Sequence, residues 1–150
     1  MSRDAILVVD DEKNIRLALS QALKPLDRPV LSALSGEEAL EMLADPGIGV
    51  MILDFRLPGI DGMAVLERAS RERPDVAVIM ITANEGGRHK AYAEMLGVVE
   101  YLRKPFPMES LLDAVQRALK PAPGGEPAPV SNDSPLGPLR RTRAKKKTEG

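Results

Sequence analysis

Five short apolar runs alternate with five segments of helical period over residues 1–120. The runs at 6–9, 50–53 and 76–81 are uniformly apolar, as strands buried on both faces usually are. The runs at 30–33 and 98–103 include polar residues, which is typical of strands at the edges of a sheet. Strands that alternate with helices over short links form parallel sheets with right-handed crossovers. We therefore predict an α/β fold, a doubly wound five-stranded parallel sheet of (βα)5 type with strand order 2-1-3-4-5.

The segments between the runs have the apolar spacing of amphipathic helices. In the first segment, apolar residues at positions 15, 19, 22, 23 and 26 recur at helical intervals. Ser35 and Glu38 have the spacing of a capping box at the start of the second helix, and Pro107 suits the first position of the fifth. Gly86 and Gly87 weaken the start of the fourth helix, because glycine has a low helix propensity.

Polar side chains follow four of the predicted strands, at the point where each strand ends. They are Asp10 and Asp11, Asp54, Thr82 and Lys104. The carboxyl ends of parallel strands meet at one edge of the sheet, and in this strand order the ligand crevice lies beside the first and third strands. The sequence therefore predicts a compact acidic pocket with one hydroxyl and one ammonium group.

Carboxylates gathered in one pocket require a cation, because each pair 4 Å apart repels by about 4 kcal/mol at an effective dielectric constant near 20. The chain has no cysteine, and ligation by oxygen alone points to Mg²⁺ or Mn²⁺. A carboxylate beside such a metal can attack phosphorus and hold the phosphoryl group as an aspartyl phosphate. Lys104 would balance its charge, and Thr82 would donate a hydrogen bond to it. We expect Asp61, which Gly62 and a helix follow, to be a helix N-cap rather than a metal ligand.

Four motifs occur in order along the chain: VVDDE at residues 8–12, LDFRLPGIDG at 53–62, ITA at 81–83 and KPF at 104–106. Together they resemble the receiver domain of two-component response regulators, over about residues 4–120. One such motif would be weak support, but four at family-like spacing are specific. The resemblance implies the flavodoxin-like form of the predicted fold and a switch activated by phosphorylation.

The resemblance implies a role for each residue of the pocket. Asp54 would accept the phosphoryl group from a histidine kinase or a histidine phosphotransfer protein. Asp11 and Asp54 would bind Mg²⁺ directly, and Mn²⁺ would substitute for it. The main-chain carbonyl of Arg56 would be a third ligand, and Asp10 would act through metal-bound water. Lys104 would pair with the phosphoryl oxygens.

The resemblance also implies how phosphorylation is transmitted. Thr82 would move toward the phosphoryl group and Tyr101 would turn inward behind it, with a cis peptide before Pro105. This exchange would remodel the face of the fourth helix, fifth strand and fifth helix, where a downstream protein effector would bind; a homodimer on phosphorylation is compatible with it. The physical basis is a two-state equilibrium biased by a group that adds roughly −1.5 to −2 charge. We expect Arg56 and Asn84 to influence the access of hydrolytic water.

Residues 121–150 differ in composition from the rest of the chain. They hold nearly half of the 13 prolines, few large apolar residues and a basic balance of charge, whereas residues 1–120 are acidic. We predict a receiver domain over 1–120 and a disordered linker with a basic tail over 121–150. The tail would contact nucleic acid, an acidic partner or an anionic membrane, or simply stay solvated. No run is long enough for a transmembrane helix or a signal peptide, so we expect a cytoplasmic protein.

Other functions fit these residues less well. A phosphatase of the haloacid dehalogenase type carries a second Asp two residues after its nucleophile, where this chain has Arg56, and its cap insertion is missing. A flavin carrier of the same topology needs a phosphate-binding loop after the first strand, where Asp10, Asp11 and Glu12 would repel FMN phosphate. We therefore expect a signalling switch rather than an enzyme, with no DNA-binding output domain in this chain; the receiver portion of a longer transcription factor is the alternative. We expect His89, the only histidine, to face solvent.

Overall fold

The computed structural model describes residues 4–83 and 87–119. The strands are β1 (Ala5–Val9), β2 (Val30–Ala33), β3 (Ile48–Asp54), β4 (Ala77–Thr82) and β5 (Glu100–Arg103). The helices are α1 (Lys13–Ala22), α2 (Gly36–Met42), α3 (Gly62–Glu72), α4 (Gly87–Met95) and α5 (Met108–Leu119), with a short 3₁₀ turn at Lys24–Leu26. All neighbouring strands pair in parallel, in the order β2-β1-β3-β4-β5. This order confirms the predicted doubly wound, flavodoxin-like fold.

Burial along the strands follows the sheet order. Every residue of β1 and β3 is buried, whereas the edge strands β2 and β5 are mostly half-buried or exposed. Along β1, Ile6 and Val8 join the core that includes residues of α1 and α5, while Leu7 and Val9 join the core that includes residues of α2, α3 and α4. Two apolar cores, one on each face, therefore hold the sheet between the helices.

Two predicted helix boundaries are wrong. The first helix ends at Ala22, short of the apolar repeat that continues to position 26, because Pro25 has no amide hydrogen with which to extend it. The fifth helix begins at Met108, so Pro107 precedes the helix instead of occupying its first position. The carbonyl of Pro107 accepts a hydrogen bond from the N–H of Ser110 at 2.9 Å, as the residue flanking a helix does.

The predicted capping box of α2 is present in part: one of its two hydrogen bonds is the expected one, and the other joins a different residue. Ser35 Oγ accepts a hydrogen bond from the N–H of Glu38 at 3.1 Å, as expected. In return, Glu38 Oε1 accepts from the N–H of Leu34 at 2.7 Å, and not from the cap residue itself as the regular box requires. The start of α2 is therefore fixed by two side-chain contacts, one of them shifted by one residue.

Several predictions fall on parts of the chain that the structure does not describe. They concern Asn84, Gly86 and the linker and tail at 121–150. Within the described ranges, no helix has both the length and the apolar character needed to cross a membrane.

Candidate functional site

Three aspartates meet at the carboxyl ends of β1 and β3. These strands pair with Val9 beside Leu53, so Asp10, which follows β1, lies next to Asp54, the last residue of β3. One carboxylate oxygen from each of Asp10, Asp11 and Asp54 lies within 4.8 Å of the other two. The acidic pocket that the sequence predicts is therefore present.

Main-chain donors fix the two buried carboxylates of this pocket. Asp10 is 2% exposed and Asp54 7%, whereas Asp11 is open to solvent. Oδ1 of Asp10 accepts a hydrogen bond from the N–H of Glu12 at 2.9 Å, and Oδ1 of Asp54 accepts one from the N–H of Arg56 at 3.2 Å. Both bonds join a side chain to the main chain two residues later, as in an Asx turn. Each buried carboxylate is thus held by the loop that follows its own strand.

Burial and repulsion raise the pKa of Asp54 from 3.8 to about 7. The largest cause is the loss of water around the carboxylate, and the negative charge of Asp10 adds to it. Lys104, whose Nζ lies 3.9 Å from Oδ2 of Asp54, acts in the opposite direction, as does the N–H of Arg56. These two contacts lower the pKa of Asp54 by less than burial and Asp10 raise it. A bound cation would therefore stabilise the ionised carboxylate further.

The donor set of the pocket fits a hard divalent cation. The clustered ligand atoms are all carboxylate oxygens, which are the ligands that Mg²⁺ and Mn²⁺ prefer. An open cavity of about 380 Å³ adjoins them, lined by Asp11, Phe55, Arg56, Leu57, Pro58 and Asp61. Mg²⁺ keeps several water ligands, and such a cavity has space for them and for phosphoryl oxygens. The pocket can therefore hold a metal ion, while the separate roles of Asp10, Asp11 and the Arg56 carbonyl stay predictions.

Asp61 borders this cavity but acts as a helix cap, which confirms the prediction. Its Oδ1 accepts a hydrogen bond from the N–H of Ala64 at 2.9 Å, at the N-cap of α3. The next residue, Gly62, packs so closely on β3 that a Cβ there would overlap the main-chain carbonyl oxygen of Asp54. This close approach holds the start of α3 against the end of β3.

The ends of β4 and β5 supply the hydroxyl and the ammonium group. Thr82 is fully buried at the end of β4, and its neighbour Ile81 lies beside Asp54 in the strand register. The N–H of Lys104 donates to the carbonyl of Thr82 at 2.7 Å, and the peptide between Lys104 and Pro105 is cis, as the resemblance implies. Thr82 and Lys104 therefore lie at the same sheet edge as the aspartates.

Tyr101 already faces the interior of the domain. It lies in β5 beside Met80 of β4, and its ring packs against the core under α2, α3 and α4. Its hydroxyl oxygen is shielded from solvent. Its exchange with Thr82 stays a prediction.

Three features around the site were not predicted. Nη1 of Arg16 donates a hydrogen bond to the main-chain carbonyl of Asp10 at 2.8 Å. His89 is exposed as expected, but its ring meets that of Phe55 edge to face, with the centroids 5.1 Å apart. An apolar groove of about 430 Å³ also adjoins the site, lined by Ile15, Ala18, Leu19, Ile81, Lys104, Pro105, Phe106 and Met108. The two contacts join different elements and leave no periodic signal, whereas the apolar residues after Pro105 hinted at the groove.

Comparison with known proteins agrees with this geometry. A family model of the response regulator receiver domain matches residues 6–116. The chain is 34% identical over 119 residues to the DNA-binding transcriptional regulator NtrC of Escherichia coli K12, covering 79% of this chain and 25% of the relative. It is 37% identical over 115 residues to the probable transcriptional regulator ycf27 of Cyanidium caldarium, covering 77% and 46%. The chain thus spans about a quarter to a half of the length of these curated relatives.

A solved structure supports the same assignment. The response regulator receiver domain protein from Clostridium thermocellum superposes with a TM-score of 0.73 at 32% identity, over 77% of this chain and 94% of that one. The match of the family model extends over more than half of the chain and includes all four motifs. The chain therefore belongs to the family of response regulator receiver domains of two-component systems.

Proposed function

We propose that this chain is a phosphorylation-activated switch of a two-component phosphorelay, with Asp54 as the phosphoacceptor. The observation that carries the proposal is the cluster of Asp10, Asp11 and Asp54, with Nζ of Lys104 3.9 Å from Oδ2 of Asp54. A phosphoryl group needs charge compensation on several oxygens, which a bound cation and an ammonium group supply together. The donor would be the phosphohistidine of a histidine kinase or of a histidine phosphotransfer protein.

The transfer balances with groups that the pocket and the donor provide. A carboxylate oxygen of Asp54 attacks phosphorus, the P–N bond breaks with its electron pair going to the imidazole nitrogen, and an aspartyl phosphate remains. Mg²⁺, when bound, would neutralise charge on the phosphoryl oxygens. Asp11, Asp54 and the carbonyl of Arg56 would hold it, with Asp10 acting through water and Mn²⁺ as a substitute. Lys104 would pair with the phosphoryl oxygen on its side.

The apolar groove beside Lys104 suits the approach of the donor. A donor must bring its phosphoryl group into contact with Asp54, so it must cover the surface next to the pocket. The groove offers Ile15 from α1 together with Phe106 and Met108 from the β5–α5 connection. An apolar groove rimmed by polar groups is typical of a surface that binds another protein. We therefore place the donor's docking surface on this side of the site.

Phosphorylation would change the face formed by α4, β5 and α5. Among the described side chains of α4 only Ala93 is buried, so the helix has few apolar contacts to hold it in one position. Thr82 would bond to the phosphoryl group and Tyr101 would follow, which favours one position of α4. Met95 is 80% exposed and Val99 51%. These side chains give a downstream protein, or a second copy in a homodimer, an apolar surface to bind.

We also propose that the chain is a switch rather than an enzyme with turnover, and that it works in the cytoplasm. Its own phosphorylation and dephosphorylation would be the only reactions it assists. The position two residues after Asp54, where a phosphatase of similar chemistry carries an acid, holds Arg56 with its side chain exposed. An arginine there can neither give a proton to a leaving group nor take one from the attacking water, because its guanidinium stays protonated.

A beryllofluoride titration tests this proposed switch. Beryllofluoride with Mg²⁺ mimics a phosphoryl group on a carboxylate without forming a covalent bond. Its addition should shift amide resonances around Asp54 and along α4 and β5, and Asp54→Asn should remove these shifts. If the shifts stay within the pocket and do not reach α4 or β5, the proposed output face is wrong.

The relatives support a second candidate. NtrC and ycf27 are named as transcriptional regulators, and both exceed this chain in length. On that basis the chain would be the receiver portion of a longer DNA-binding regulator. Intact-mass measurement of the protein purified from its source distinguishes the candidates, since a mass of 16.2 kDa supports the short chain and a larger mass the longer regulator.

A further inference from the structure

The loop between β1 and α1 carries two of the three clustered aspartates. Asp10 and Asp11 lie on either side of one peptide bond, whose carbonyl oxygen belongs to Asp10. The orientation of this peptide therefore sets the directions in which both carboxylates leave the main chain. A metal site that uses both carboxylates depends on that orientation.

The helix that follows the loop does not fix it through an ordinary cap. Glu12 is the N-cap residue of α1, but its side chain makes no capping hydrogen bond, and the first turn holds no acidic residue. The loop is instead tied by the N–H of Asp10, which donates to the carbonyl of Ala33 at 3.2 Å, and by the bond from the N–H of Glu12 to Oδ1 of Asp10 at 2.9 Å. Neither bond involves the carbonyl oxygen of Asp10.

That carbonyl is held by Arg16. The half-buried side chain of Arg16 turns back from the first turn of α1, and its Nη1 donates to the carbonyl oxygen of Asp10 at 2.8 Å. The main-chain N–H of the same residue donates to the carbonyl of Glu12 at 3.0 Å. Arg16 thus connects the helix to both ends of the loop. Hydrogen bonds from charged donors are about twice as strong as neutral ones.

We propose that Arg16 is a positioning residue for the metal site, which fixes the peptide between Asp10 and Asp11 so that both carboxylates face Asp54. This inference rests on the proposed function, because it assumes that the three aspartates bind Mg²⁺. The contact of Arg16 is with the main-chain carbonyl of Asp10 and not with the carboxylate oxygens that would bind the metal. It acts through the main chain of the loop.

The sign of the effect on metal binding separates positioning from simple electrostatics. A guanidinium close to an acidic pocket repels a divalent cation, so removal of its charge alone would tighten Mg²⁺ binding. Loss of a positioning contact would weaken binding, because the carboxylates would spend less time in the binding geometry. Removal of groups that orient metal ligands typically weakens binding by about 10- to 100-fold.

The test is a calorimetric titration of the metal-free protein with Mg²⁺, at fixed pH and ionic strength, on three variants and the wild type. Arg16→Met removes both the donor and the charge, and its dissociation constant should rise by about tenfold. Arg16→Lys keeps the charge and a donor on a long stem, and should restore most of this loss. Lys13→Met, the control, removes an exposed charge from the same turn and should bind Mg²⁺ as tightly as the wild type or slightly more tightly.

Amide hydrogen exchange supplies a second readout. In Arg16→Met the amides of Asp11 and Glu12 should exchange faster, while those of β3 and β4 keep their protection. Should Arg16→Met fail to fold, Arg16→Gln replaces it, since the shorter side chain also loses the contact with Asp10. The same weakening is then expected.

The possible results separate this inference from the proposed function. Unchanged or tighter Mg²⁺ binding in a folded Arg16→Met would overturn the positioning role, as would an equal loss in Lys13→Met. If the wild type itself fails to bind Mg²⁺, the proposed metal site is wrong and this inference falls with it.

Discussion

Nζ of Lys104 lies 3.9 Å from Oδ2 of Asp54, which is within ion-pair range but too long for a direct hydrogen bond. The attraction lowers the pKa of Asp54, yet burial and the charge of Asp10 outweigh it. An ammonium group held at this distance can approach a new oxygen on Asp54 without first breaking a hydrogen bond to the carboxylate. This distance therefore supports the proposal that Lys104 pairs with an oxygen of a phosphoryl group on Asp54.

Substitution of Lys104 tests this relationship. In Lys104→Met we expect phosphorylation by a small-molecule donor to slow by about 10²- to 10³-fold, the usual effect of removing one stabilising contact to a developing anion. The rate should be measured by intact mass over time, with Lys13→Met as the control for loss of one positive charge. A rate within twofold of the wild type would mean that Lys104 does not contact the phosphoryl group.

The raised pKa of Asp54 predicts that Mg²⁺ binding depends on pH. The metal binds the ionised carboxylate, so protons compete with it as the pH falls through about 7. Below that pH the apparent affinity should drop by up to about tenfold per unit, because one proton is displaced. Titrations at pH 6, 7 and 8 check this, with uptake of protons by the buffer as a second readout; an affinity that does not change from pH 8 to 6 contradicts the raised pKa.

The same shift predicts the pH dependence of stability in the metal-free protein. The pKa of Asp54 rises from 3.8 to about 7 on folding, so between these values the folded chain binds the proton more tightly than the unfolded chain does. This contribution to stability is fully present below about pH 4 and is lost as the pH rises through about 7. Asp54→Asn, which stays neutral, should therefore gain stability relative to the wild type at pH 8 and lose that advantage at pH 4. Urea unfolding at both values measures the difference, and an advantage that grows toward low pH would have the wrong sign.

Replacement of Arg73, which lies away from the acidic pocket, should lower the stability of the fold. Its guanidinium donates to the main-chain carbonyls of Leu43, Asp45 and Ile48, where the chain enters β3, and pairs with Asp75 at 2.8 Å. Loss of a charged donor leaves partly buried carbonyls unsatisfied, so Arg73→Met should lower the free energy of unfolding by about 2–3 kcal/mol.

Arg68, within α3, provides the control for loss of an arginine near the same helix end. Arg68 makes an exposed ion pair with Glu72, so Arg68→Met should cost no more than about 0.5 kcal/mol. Urea unfolding of both variants gives the comparison. Equal losses would show that the contacts of Arg73 with the main chain contribute nothing.

Loss of one side-chain contact between α4 and α3 should lower the local stability of α4. Oη of Tyr92 lies 2.5 Å from Oε2 of Glu67 in α3, a tether for a helix with one buried side chain among its described residues. In Tyr92→Phe, amide exchange in α4 should be faster than in the wild type, because the hydrogen bond to Glu67 is lost. Exchange in β1 and β3 is the internal reference, and unchanged exchange in α4 would mean that the bond does not hold the helix.

The sheet and the pocket were predictable because they depend on strand polarity and on the residues at strand ends. The uniformly apolar sequence of β3 predicts a central strand, and the polar residues in β2 and β5 predict edge strands. The resulting strand order brings Asp10 beside Asp54. The contact of Arg16 with Asp10 was not predictable, since it depends on the path of a loop and the rotamer of a long side chain. The position of Pro107 was misjudged for a related reason, because a proline fits both the first helical position and the residue before it.

The central claim is that Asp54 accepts a phosphoryl group with the help of Mg²⁺. Its most direct test is intact-mass measurement of the wild type, Asp54→Asn and Asp61→Asn after incubation with acetyl phosphate, with Mg²⁺ and with EDTA in its place. We expect the mass of one phosphoryl group on the wild type and on Asp61→Asn with Mg²⁺, and none on Asp54→Asn or with EDTA. A wild type that gains no phosphoryl group, or an Asp54→Asn variant that gains as much as the wild type, would contradict the claim.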